Sequence, residues 1–66
     1  MSLYAPRFLT RPEAANYLRV SPKTLAKWAW AGMGPDYFRV GGRVAYDKSD
    51  LETWLERQRR SPEEYE

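Results

Sequence analysis

The 66-residue chain contains no cysteine and no histidine. There is therefore no disulfide and no thiolate metal site, and a zinc site would rest on carboxylates alone. No metal and no cofactor is expected. The same absences remove the common nucleophile and base pairs of enzymes, and no Gly-rich phosphate loop joins a strand to a helix. Asp47, Asp50, Glu52 and Glu56 fall on or around one charged helical segment, where capping and i,i+4 pairing with Arg60 explain them. A non-enzyme is expected. No apolar run approaches the ~20 residues that span a bilayer, and the N-terminus lacks the basic start and apolar block of a secretory signal. The expectation is a soluble, cytoplasmic protein with no membrane contact. Heptads, internal repeats and low-complexity blocks are also missing.

What remains is one small domain, whose core supplies only about 3–5 kcal/mol unless reinforced. Every large apolar residue therefore counts. The formal net charge is +2, but its distribution is uneven. Residues 1–60 hold all eleven Lys and Arg against six acids, whereas the tail "SPEEYE" adds three Glu and no base. Arg7 to Arg43 holds seven bases against Glu13 and Asp36; residues 44–60 balance four against four. A solvated charged surface is the ordinary reading of such numbers. Clustering in one segment shifts it towards a polyanion partner.

Local signals divide the chain into short pieces. In "FLTRPEAANYLRV", Thr10 followed three residues later by Glu13 is the reciprocal cap that starts a helix, here from about Arg11 to Leu18. Its inward face is Ala14 and Leu18 with Tyr17 or Ala15, and Phe8 and Leu9 pack at its start. Ser21 caps a second helix with Pro22 in its first turn, and Gly32 ends it. "YFRVGGRVAY" alternates about a Gly-Gly pair and reads as a hairpin. A third helix follows in "DKSDLETWLERQRR", with Leu51, Trp54, Leu55 and Gln58 on one face and either Asp47 or Ser49 as its cap.

The hairpin poses a register question. A two-residue Gly41-Gly42 turn puts Phe38 and Val40 on the face of Arg43 and Ala45, splitting the apolar set. A three-residue loop aligns Phe38, Val40, Val44 and Tyr46 instead, and the hydrophobic pattern favours it. Arg39 then points away from the core, with Arg43 exposed beside the tip.

At 100° per residue, Leu25, Trp28 and Ala29 share one side of the second helix, while Lys23, Lys27 and Trp30 share the other. Trp28 is read as core. For Trp30 two readings stand. Either it folds over the hairpin or third helix, the favoured and more ordinary one, or it flanks a basic ligand-facing surface, where it is a candidate protein contact.

Two capped helices joined through Val20, the second with an outer face of Lys, Thr and Lys, form a helix-turn-helix. The second helix of such a pair enters the DNA major groove, and an arginine-bearing hairpin beside it reaches neighbouring phosphates or the minor groove. The expected class is α+β, mainly α: a winged helix-turn-helix over residues 8–60, with an N-terminal arm over 1–7 and an acidic tail over 61–66 expected to be disordered.

The stretch "LTRPEAANYLRVSPKTLAKWAWAGMGPDYFRVGGRVAYDKSDLETWL" also resembles a family. It is similar to the compact winged helix-turn-helix domains of excisionases and small prophage regulators, and distantly to the DNA-binding end of mercury-resistance-type regulators. The order and spacing carry this: Glu-Ala-Ala after Thr10, the Val-Ser turn, Thr24-Leu25, Gly-Pro before Arg-Val-Gly-Gly-Arg, then Asp-Leu. The resemblance implies double-stranded DNA as partner, with Lys23, Thr24 and Lys27 on the groove-facing helix and Arg39 and Arg43 on the wing. Arg7, Arg11, Arg19 and Ser21 are candidate backbone contacts. Arg19 departs from the pattern, since many relatives have glycine there. The implied roles are an excisionase, the directionality factor of a mobile element's recombination, or a small transcriptional regulator. Partners implied with them are further copies on adjacent sites and a site-specific recombinase. The rival from another class is a protein-interaction module without DNA binding, which the low net charge and three tryptophans allow.

Overall fold

The computed structural model describes residues 8–62, so Arg7, the arm before it and the tail beyond Pro62 lie outside the described residues. In chain order the elements are β1 (Phe8–Leu9), α1 (Arg11–Leu18), α2 (Pro22–Trp30), β2 (Phe38–Val40), β3 (Arg43–Asp47) and α3 (Lys48–Arg57). The strands form one antiparallel sheet in the order β1-β3-β2. This is the α+β arrangement of a winged helix-turn-helix: a helix pair, a hairpin and a C-terminal helix.

Each helix starts where its local chemistry dictates. The Thr10 hydroxyl accepts from the Glu13 amide at 3.2 Å, and the Thr10 amide donates to the Glu13 carboxylate at 2.9 Å. Two amides that α1 would leave unpaired are thereby satisfied. Ser21 accepts from the Thr24 amide at 3.0 Å and caps α2, with Pro22 in the first turn. For α3 the cap is Asp47, which accepts from both the amide (3.0 Å) and hydroxyl (3.1 Å) of Ser49. That decides between the two caps the sequence left open.

The helix ends are equally local. Gly32, at φ 76°, closes α2, with Met33 donating back to the Trp28 carbonyl at 2.7 Å and Gly32 to Ala29 at 3.2 Å. The end of α1 has the same paired pattern, Val20 to Ala15 at 2.9 Å and Arg19 to Asn16 at 3.1 Å. Its left-handed residue is Arg19, at φ 63° and ψ 37°. A side chain there costs on the order of 1 kcal/mol, which glycine would avoid.

Ala14, Ala15, Leu25, Tyr46 and Leu51 are fully buried, and Leu9, Leu18, Val20, Trp28, Tyr37 and Val44 pack around them. Of the two candidates on α1, Ala15 is the one buried. Tyr17 stays at the surface and donates to Glu52 on α3 at 3.2 Å. Leu55, expected in the core, is instead exposed, because the apolar side chains that α3 turns inward are Leu51 and Trp54. Glu56 pairs with Arg59 at 3.0 Å rather than with Arg60.

The hairpin register corrects the sequence expectation. Phe38 pairs with Ala45, Arg39 with Val44 and Val40 with Arg43, so the loop is the two-residue Gly41-Gly42 turn. Both glycines have positive φ, 55° and 83°. That conformation carries the twist of paired strands and is open chiefly to glycine. The apolar set is split, and the sheet acquires two apolar faces. Leu9, Val44 and Tyr46 face the helices. Phe8, Phe38, Val40 and Ala45 lie on the outer face, where the Phe8 and Phe38 rings meet edge to face at 5.7 Å. Phe8 and Leu9 form a strand against β3 instead of merely packing at the start of α1. Arg39 lies on the helix-side face, opposite to the expectation.

Candidate functional site

That change of face assembles the site. Lys23, Lys27 and Trp30 are exposed along the outer side of α2, at i, i+4 and i+7. Arg39 projects from β2 on the side facing them, and Arg11 reaches in from the first turn of α1. Together they border a cleft of about 610 Å³ between α2 and β2. Its lining includes the small side chains Ala26 and Ala29, with Trp30 and Tyr37 as aromatic walls. Among the described residues, four cations line this surface and no acid does.

Arg11 is partly anchored, since its Nε donates to the Tyr46 hydroxyl at 3.4 Å. Four further N–H groups of a guanidinium remain for a ligand. Among the described residues, Lys23, Lys27, Arg39 and Arg43 make no ion pair. The first turn of α2 has no acid, and Lys23 stands there. A cation at the positive end of a helix dipole works against helix stability but adds to the local positive potential. The arrangement suits a polyanion better than it suits the fold.

The other sequence-derived positions fall elsewhere. Thr24 is half-buried, and its hydroxyl oxygen accepts from the Ser21 hydroxyl at 3.0 Å, so both belong first to the cap of α2. Arg19 sits in the turn between the helices. Arg43 flanks the hairpin tip on the outer face of the sheet, away from the cleft. Trp30 does not fold over the hairpin or α3: it is 90% exposed. Tyr37 was not foreseen as a wall of the site. Its signal lay in its alternation with Arg39, which puts both on one side of the strand direction.

No curated protein matches the chain. The sequence pattern of a known family, described as a helix-turn-helix domain, matches residues 8–59.

Proposed function

The chain belongs to the helix-turn-helix domain family, and from that premise we propose that it binds double-stranded DNA sequence-specifically, with α2 in the major groove and the hairpin alongside. The observation that carries this reading is the cleft in which Arg11, Lys23, Lys27 and Arg39 converge beside α2 with no acidic counter-charge among the described residues. Lys23, Thr24 and Lys27 are the groove-facing residues. Arg39 and Arg43 act from the wing, and Arg7, Arg11, Arg19 and Ser21 meet the backbone.

The role within this reading is that of an excision-directionality factor, supported by the resemblance of the motif order to excisionases. One recognition helix reads only a few base pairs, and a single module buries about 600–1,000 Å² on DNA. A lone copy therefore discriminates weakly, and specificity comes from several copies on adjacent sites, with bending of the DNA and a recombinase as partner.

The test is a salt titration of binding to duplex DNA. With four or five phosphate contacts, log affinity falls against log salt with a slope of about −4. A slope near zero removes DNA as the main ligand. Footprinting on the DNA flanking the gene then separates the roles, since protection over a promoter alone favours a transcriptional regulator.

A further inference from the structure

Among the described residues, Trp30 is the one large apolar side chain at the basic cleft left almost wholly in solvent, 90% exposed, while Trp28 two residues earlier packs inward. Nothing in the fold requires an indole there. It stands on the same helical face as Lys23 and Lys27, seven residues beyond the first, or about 10.5 Å along the axis at 1.5 Å per residue. A major groove is about 12 Å wide. A helix whose Lys23 end enters the groove therefore carries Trp30 towards the far edge of the same footprint. Between them lies Ala26, with Ala29 beside it, and neither side chain is large enough to hold the duplex away.

The occupant of this surface is constrained by charge. A second copy placed on Trp30 in a symmetric contact would set two four-cation clefts against each other. The apolar surface better suited to a protein lies on the outer side of the sheet, at Phe8, Phe38 and Val40, and Trp30 is not among the residues that line it. In the major groove the apolar group available to an indole is the 5-methyl of thymine. Resting on the DNA-binding reading above, we propose that Trp30 is a DNA contact that covers thymine methyl groups at the outer end of the α2 footprint, giving a preference for A·T pairs there.

The experiment compares the full chain and Trp30→Ala on an alternating A·T duplex and on the same duplex made with uracil in place of thymine. The wild type should bind the thymine duplex about four-fold more tightly per methyl covered. Trp30→Ala should bind the two alike, with the melting curve and the salt slope unchanged because no charge is lost. Lys27→Ala, by contrast, should lower the slope by about one while keeping the thymine preference. Equal binding of wild type and Trp30→Ala overturns the proposal, as does a loss of the same size on both duplexes. It also falls if Trp30→Ala loses only the steepness of binding to longer duplexes, which would make Trp30 a contact between neighbouring copies. If the wild type binds neither duplex at low salt, the DNA-binding reading falls first and takes this one with it.

Discussion

The indoles of Trp28 and Trp54 lie 5.4 Å apart, centroid to centroid, tilted by 41°. This contact ties the last turn of α2 to α3, so the pose of the basic face depends on a pair of rings that do not line its cleft. The nearby Trp30 has no such task.

Trp28→Ala and Trp30→Ala should therefore behave oppositely. Removing Trp28 deletes a ring packed against the core and should cost about 3 kcal/mol, a large share of the stability of so small a domain. Trp30→Ala should leave the free energy of unfolding within about 0.5 kcal/mol of the wild type. Circular dichroism during urea unfolding measures both, and equal losses would show that Trp30 also supports the fold.

Gly34 lies against the same ring. At φ +81°, a Cβ added there would meet Trp28 Cβ at 3.1 Å and Cε3 at 3.3 Å. Gly32, at φ +76°, has nothing within 4 Å. Gly32→Ala should thus cost about 1 kcal/mol from backbone strain alone, and Gly34→Ala about 2 kcal/mol, because the ring must also shift. The ordering of the two midpoints is the check; the reverse order would mean that Trp28 moves away freely.

Arg19 offers a gain in stability against a loss in binding. Arg19→Gly relieves a left-handed arginine and should stabilise the fold by about 0.5–1 kcal/mol, raising Tm by a few degrees. If Arg19 meets a phosphate, the salt slope of DNA binding should shrink by about one in the same variant. A stabilised variant with an unchanged slope would remove Arg19 from the backbone contacts.

The Tyr17 phenol is pushed above the ordinary 10.0 by partial burial, by the Glu52 charge and by the hydrogen bond it donates to that carboxylate. In the unfolded chain it ionises at the lower, ordinary value. Its contribution is therefore complete below about pH 10 and is lost as pH rises through the folded-state value. The stability difference between wild type and Tyr17→Phe should be constant up to about pH 9 and shrink beyond about pH 10. A difference that grows in alkali would contradict the direction of the shift.

Cooperative loading is the remaining expectation. The chain should sediment as a monomer at micromolar concentration, and a duplex with two adjacent sites should titrate more steeply than one with a single site. Independent filling of equal sites would point to specificity borrowed from a larger partner.

The elements that act over a few residues were legible without a fold. Thr10 with Glu13, Ser21 with Pro22, and Gly32 define helix ends through bonds spanning five residues or fewer. The opposition of Trp28 and Trp30 follows from helical periodicity alone. The hairpin's place was readable for the same reason, but its register was not. Aligning every apolar residue on one face presumes that only one face of the sheet is apolar, and Phe8, arriving from thirty residues away, helps to make a second. That register in turn moved Arg39 to the side of α2. Leu55 was lost from the core because its side of α3 lies largely open to solvent, 40% exposed. Sequence by itself determined where α1 and α2 begin and end, since caps and glycines act locally. Only tertiary structure decided which side chains share the cleft, because a one-residue change in strand pairing reverses every side chain on the strand.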